Sequence, residues 1–352
     1  MIKNKILKFT IVTCSGLVVL LLVIYFLLAY RPQIAVSVIQ SLLYPNGAEI
    51  NPRTPKKQTN RQMLENGQLY VNDIQFSQNY PNSFLDITYP NKDTSSKRPT
   101  IVYFHGGGFF GGDKVLGDPL AEGDGSQSFF SKFVAEGYNF VNVNYVLVPE
   151  YHFPDPIIQM NEALNYLVTN ADDLGLNMQD VTLFGQSAGA IMVSQYGAIL
   201  SNSNYRQQFN LSQAPKLTTA DIRGLIIDDA PLDMYDKNAT FKLKLLIANY
   251  TEQSIYFENR RKTNLYNSLK WLTPNYPRAF VTAGTADGFP YDMKKMENQL
   301  KKLGVEVSNF ETPLDIYGPT KHGYLSNLKQ DKSGAARDAY QEIIRFLAKG
   351  KN

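Results

Sequence analysis

The chain has 352 residues, 43% of them hydrophobic and 19% charged, an ordinary globular composition with ample material for a core. Its 35 basic and 32 acidic residues leave a net charge of +3, and the Lys and Arg are scattered rather than gathered in a stripe, so there is no electrostatic case for nucleic acid. A single cysteine, Cys14, excludes an intrachain disulfide and a cysteine-ligated metal site, and three histidines make a histidine-rich metal site a poor reading.

In chain order, the first predicted element is a helix. No charged residue occurs from Phe9 to Tyr30, and as a helix this run spans about 33 Å, enough for a bilayer core. Lys3, Lys5 and Lys8 precede it and Arg31 follows, which predicts residues 1–8 as a cytoplasmic tail, 9–30 as a signal anchor and the rest of the chain outside the cytoplasm. The alternative is a secreted protein released by signal cleavage. Against it, the apolar run exceeds an h-region of roughly 7–15 residues, and cleavage after Ala29 would put Leu27 where a small residue is wanted. Residues 31–65 read as a juxtamembrane segment. Ile34, Val38, Ile39 and Leu42 recur at helical spacing before Pro45-Asn46-Gly47 breaks the pattern, and Asn51 to Gln62 suits a linker. The helix fits either the membrane interface or a cap over a site.

The folded domain is expected over 66–352. Leu69–Phe76 and Phe84–Tyr89 are early strands. Further strands are predicted at 100–104, 139–145, 181–184, 223–228, 279–283 and 306–316, with helices near 125–136, 155–170, 188–201, 291–303 and 334–348. Such alternation implies an α/β fold with a mostly parallel central sheet and helices on both faces. Residues 231–275 interrupt the rhythm with a polar, Tyr- and Asn-rich stretch, placed where a cap or lid would be inserted.

Two motifs carry chemistry. The strand Ile101–Phe104 runs into His105-Gly106-Gly107-Gly108-Phe109, where three glycines lay bare amide N–H groups at a cost in backbone entropy. Downstream, Gly185-Gln186-Ser187-Ala188-Gly189 sits between an apolar strand and an apolar helix, the setting of a nucleophile elbow. Ser187 is the nucleophile expected there, and it needs a base. Of His105, His152 and His322, only His322 follows the serine; His105 belongs to the glycine loop, and His152 suits a surface or cap-packing role. Asp287, the first acid beyond the strand at 279–283, is the expected partner of His322, ahead of Asp292 and Asp315. Gly107, Gly108 and Ala188 are expected to offer oxyanion donors, each worth about 2.7–4 kcal/mol in the transition state. Phe109, Phe110, Phe289 and Tyr324 flank these motifs and suit an aromatic acyl pocket.

With these residues in hand, the chain resembles the hormone-sensitive-lipase-like branch of the α/β-hydrolase fold over most of 95–348. The resemblance rests on His105 to Phe109, on Tyr145-Val-Leu-Val-Pro-Glu-Tyr-His-Phe-Pro154, on the serine elbow, and on the order Ser187, Asp287, His322. It implies a carboxylic ester hydrolase of modest acyl length, with an ester as substrate and no cofactor. It also implies that Gly107, Gly108 and Ala188 form the oxyanion hole. The chain departs from that branch in having Gln186 before the serine, Gly189-Ala190 after it, and Gly288-Phe289 after Asp287. An amidase on the same residues, or a non-catalytic binding module of the same fold, are the competing readings.

Overall fold

The computed structural model describes residues 2–43, 59–115, 117, 126–235 and 239–350. Its frame is a nine-stranded sheet in the order β1-β2-β3-β5-β4-β6-β7-β8-β9. The strands are β1 (Asn60–Met63), β2 (Leu69–Gln75), β3 (Phe84–Tyr89), β4 (Pro99–Phe104), β5 (Asn139–Val143), β6 (Asn177–Gln186), β7 (Ile222–Asp228), β8 (Ala279–Thr282) and β9 (Val307–Phe310). From β5 through β9 all pairings are parallel, while β1, β2 and β3 add an antiparallel edge. The two faces of β4 show how the sequence builds the layers: Ile101 and Tyr103 point into one hydrophobic cluster, Val102 and Phe104 into the other.

Helices cover both faces. Ahead of the sheet come α1 (Ile2–Tyr30) and α2 (Pro32–Leu43). Helices α3 (Ser126–Ala135), α4 (Asp155–Thr169), α5 (Ala188–Ser201) and the single turn α6 (Ser203–Arg206) follow. Between β7 and β8 lie α7 (Phe241–Tyr250) and α8 (Arg260–Tyr266); α9 (Pro290–Lys302), the turn α10 (Leu314–Tyr317) and α11 (Ala335–Ala348) complete the chain. Phe133 of α3 and Ile343 of α11 share one cluster, whereas Leu164 of α4, Ile191 of α5 and Met296 of α9 belong to the other. Helix α5 is buried almost all round, as its mostly apolar sequence requires, with Ser194 and Gln195 hydrogen-bonded to Ser268 and to the Tyr266 carbonyl.

Two expectations are corrected. The sheet starts at Asn60, not beyond residue 65: β1 is exposed at all four residues and is held by its backbone ladder to β2, which no apolar alternation in Asn-Arg-Gln-Met announces. The strand expected over 306–316 stops at Phe310, because Pro313 has no N–H to donate and a helical turn begins at Leu314. The first helix runs unbroken from Ile2 to Tyr30. The expected break at Pro45-Asn46-Gly47 and most of the expected linker lie outside the described residues.

Candidate active site

The carboxyl ends of β4, β6, β7, β8 and β9 converge on one cavity of about 610 Å³, where open α/β sheets place their ligands. Ser187 stands at the turn from β6 into α5 with φ 52° and ψ −114°, a conformation that a side chain normally avoids. The flanking glycines make the turn possible by close approach. A Cβ on Gly185 would lie 2.2 Å from the Gly189 carbonyl oxygen, and one on Gly189 would lie 2.0 Å from that of Phe104. The Ser187 N–H donates to the Asp228 carbonyl at 2.8 Å, which ties the turn to the neighbouring strand.

His322 follows β9, and its Nε2 lies 2.9 Å from Ser187 Oγ. Its Nδ1 lies 3.1 Å from Oδ2 of Asp229, the residue after β7. Asp229 is wholly buried and has φ 63°. Its Oδ1 accepts the Phe289 N–H at 2.6 Å, and its Oδ2 accepts those of Gly284 and Gly323 at 3.1 Å each. Three backbone donors and an imidazole therefore surround one carboxylate that no water reaches.

Asp287, expected at Nδ1, stands elsewhere. It is exposed on the loop after β8, and its carboxylate accepts the backbone N–H of His322. The loop runs past the imidazole because Phe289 N–H is drawn down onto Asp229, and this leaves Asp287 beside the main chain rather than the ring. Asp292 is buried within α9, where its Oδ2 accepts the Leu232 N–H, and Asp315 lies in the turn α10. Asp229 was legible only as an acid at the end of an apolar strand next to the serine strand, in Ile226-Ile227-Asp228-Asp229.

The glycine loop is fixed from behind. The buried Tyr145 hydroxyl donates to the His105 carbonyl at 2.7 Å, and its ring stacks on the His105 ring at 4.2 Å. His105 Nδ1 donates to the Gly106 carbonyl at 2.7 Å. Beyond the loop, Lys114 Nζ lies 2.8 Å from both Asp73 and Asp86, a buried pairing that ties the loop to β2 and β3. Gly108 and Ala188 line the cavity; Gly107, the preceding residue of the loop, is not among its lining residues, and its carbonyl accepts from Phe110 and Gly111. Gln186, where the resembled branch usually has Asp, acts as a strut: its Nε2 donates to Asp228 Oδ2 at 3.1 Å and to the Gly323 carbonyl at 3.4 Å.

Two of the four expected pocket aromatics face the cavity. Phe109 lines it while stacking on Tyr250 of α7 at 3.5 Å, and Phe289 lines it with its ring edge-on to His322 at 5.3 Å. Phe110 is turned into the core under Gly108, and Tyr324 hydrogen-bonds Thr282 in the cluster on the other face of the sheet, so neither reaches the cavity. Leu243, Leu246 and Ile247 of α7 supply the apolar wall that residue order alone did not reveal. His152 packs where a cap contact was expected, its Nδ1 donating to the Asn249 carbonyl at 2.9 Å.

Burial pushes the His105 imidazole down to about 4 from the usual 6.5. A depressed folded-state value means that the unfolded chain binds the extra proton first, so the stability is full above pH 6.5 and is lost as pH falls toward 4. The loss expected between pH 7 and 4.5 is about 2–3 kcal/mol from this group. Urea unfolding at both pH values should show it in the natural chain and not in His105→Gln; equal pH slopes would refute the assignment.

The sequence from residue 85 to 293, more than half of the chain, matches the profile of the BD-FAE family. The chain belongs to the BD-FAE family. Among curated proteins, the chain is 32% identical over 149 residues to the cAMP-regulated D2 protein of Dictyostelium discoideum, covering 38% of this chain and 25% of that one. It is 29% identical over 115 residues to an acetyl esterase of Salmonella paratyphi B, 32% of each chain. The match thus spans about a quarter to a third of these relatives. Esterase B from Lactobacillus Rhamnosis has the same fold, with a TM-score of 0.68 at 16% identity over 90% of this chain and 93% of that one. A Pyrobaculum calidifontis esterase gives 0.59 at 18% identity, over 90% and 94% of the two chains. The member of the BD-FAE family described here is therefore an α/β-hydrolase fold with a nine-stranded, mostly parallel sheet.

Proposed function

We propose that this chain is a membrane-anchored serine carboxylesterase acting on short- to medium-chain esters, with its catalytic domain outside the cytoplasm. The observation that carries the reading is the line Ser187 Oγ, His322, Asp229, with spacings of 2.9 and 3.1 Å, opening into a cavity beside the glycine loop. His322 Nε2 takes the Ser187 proton as Oγ attacks the ester carbonyl. The N–H groups of Gly107, Gly108 and Ala188 receive the developing oxyanion, and His322 returns the proton to the departing alcohol. Water, deprotonated by the same imidazole, then releases the acid from the acyl-enzyme. Asp229 stays ionised throughout, holding the imidazole tautomer and balancing its charge. In this reading Asp287 holds the main chain of the His322 loop. The acetyl esterase relative and the apolar wall of Phe109, Phe289 and Leu246 support a small acyl group. Helix α1, apolar from Thr10 to Tyr30 and exposed from Thr10 to Leu27, supports the anchor.

The purified full chain in detergent is expected to hydrolyse p-nitrophenyl acetate and butyrate and to take up one fluorophosphonate per chain. Lack of labelling by the folded protein would remove the reading, and faster turnover of matched anilides would move it to an amidase.

Gly288 offers a finer check. A Cβ there would sit 2.5 Å from Asp229 Oδ1 and 2.4 Å from the Gly284 carbonyl oxygen. Gly288→Ala should displace the carboxylate by a fraction of an ångström and lower kcat by roughly 10²-fold with little change in KM. A kcat within twofold of the natural chain would count against Asp229 as the partner of His322.

A further inference from the structure

Building on the esterase reading, we propose that the cavity takes its ester from the lipid bilayer, so that the substrate is an acyl amphiphile whose ester lies at headgroup depth. The last turns of α1 are packed against the insertion that walls the cavity. Tyr25 Oη and Tyr256 Oη are hydrogen-bonded at 3.1 Å, and the Tyr25 ring stacks on Phe241 with centroids 6.0 Å apart. Tyr30 packs on Tyr256 at 5.5 Å, and the Ala29 carbonyl accepts the Ile255 N–H at 3.0 Å.

Tyr25 lies five residues inside the end of the apolar span at Tyr30, about 7.5 Å along a helix axis. A ring stacked on it therefore lies at the level where a bilayer passes from tails to headgroups. Phe241 is that ring, and it opens α7, where its neighbours Thr240, Lys242 and Leu243 line the cavity. The cavity mouth and the membrane boundary are thus one residue apart along the chain.

The surface around the mouth has the composition of an interface. Phe241, Tyr256 and the cavity-lining Tyr291 are 42%, 45% and 52% exposed, large rings left in contact with whatever surrounds the protein. Rings at this level form the aromatic belt of membrane proteins. The second helix fixes the arrangement: α2 packs on α7, and Gln40 Nε2 donates to the carbonyls of Phe110 and Val148 at 3.1 and 3.3 Å. Anchor, cavity wall and glycine loop form one continuous packed unit, so the site has a set height and facing above the bilayer. An amphiphile esterified with a short- to medium-chain acyl group enters with that chain along Leu243, Leu246 and Ile247 and its ester carbonyl at Ser187. Its acyl–oxygen bond breaks, water supplies the hydroxyl of the released acid, and the displaced oxygen leaves as an alcohol carrying the proton from His322.

The test uses the full chain in phosphatidylcholine vesicles. With Cys14→Ser and Phe241→Cys labelled by bimane, lipids brominated near the glycerol end should quench the label strongly; quenching no greater than in bromine-free vesicles overturns the proposal. In parallel, turnover of a fluorogenic diacylglycerol in the vesicles is compared with that of water-soluble 4-methylumbelliferyl acetate. Turnover of both is expected, with Phe241→Asp lowering the first at least tenfold and the second less than twofold. Hydrolysis of the soluble ester alone overturns this inference and leaves the esterase reading intact, whereas hydrolysis of neither ester removes that reading as well. Equal loss of both activities in Phe241→Asp marks a folding defect, and the quenching result then decides.

Discussion

Replacing Ser187 by Ala is expected to lower kcat for ester hydrolysis on the order of 10⁶-fold, with the fold intact. The reason is geometric. In the proposed mechanism Ser187 Oγ is the nucleophile that His322 Nε2 activates, and without it only direct attack by water, aided by the oxyanion donors, remains. The nitrophenolate burst that reports acyl-enzyme formation should vanish with it. A second substitution separates chemistry from backbone strain. Ser187 holds φ 52°, ψ −114°, where a Cβ is unfavourable and glycine is not. Ser187→Gly should be as inactive as Ser187→Ala yet more stable than it by about 1 kcal/mol, a rise in Tm of roughly 2 °C. Retained turnover in Ser187→Ala would dismiss the serine mechanism. A lower Tm for Ser187→Gly than for Ser187→Ala would dismiss the strain.

Much of the fold was legible because the central strands are buried on both faces. Val181 to Phe184, interrupted only by the buried Thr182, and Leu225 to Ile227 are runs buried on both faces, and such runs need helices above and below. The serine elbow and glycine loop were legible for a related reason, since glycines are placed where backbone must touch backbone, as at Gly185 and Gly189. What escaped was anything that depends on how loops fold back. β1 is held by main-chain pairing alone and carries no side-chain signal. Phe110 and Tyr324 are aromatic and adjacent to catalytic motifs, but one residue's change of direction sends each into the core. The neighbour of the His322 ring escaped for the same reason. Sequence order pointed to Asp287, yet the backbone N–H of Phe289 bonds to Asp229, and that bond positions the loop.

Asp229→Asn is therefore expected to lower kcat by roughly 10⁴-fold, while Asp287→Asn lowers it less than about tenfold. An asparagine at 229 has a single acceptor oxygen for a site that asks for two. If the amide oxygen takes the Oδ2 position, it keeps the Gly284 and Gly323 N–H groups and His322 Nδ1, but the amide nitrogen then faces the Phe289 N–H, donor against donor. If the oxygen takes the Oδ1 position, the amide nitrogen faces Nδ1 and forces the proton onto Nε2. In that tautomer His322 cannot accept the Ser187 proton at 2.9 Å. The first arrangement leaves a buried donor unpaired, at about 1–3 kcal/mol of stability. The second turns the amide nitrogen toward the Gly284 and Gly323 N–H groups, two unpaired donors and a larger loss of stability, and also stops the chemistry. Either way the effect appears in kcat, and steady-state kinetics beside a thermal melt will show which arrangement the chain adopts. At 287 the demand is lighter. The carboxylate accepts one backbone N–H in an exposed loop, and an asparagine oxygen meets that demand unchanged. Asp287→Ala would loosen the His322 loop and raise KM as well as lower kcat, which distinguishes a residue that holds the main chain from one that orients the ring. Should the order of the two asparagine variants be reversed, with Asp287→Asn the inactive one, the imidazole partner is Asp287 and the loop after β8 must close further over His322 during turnover.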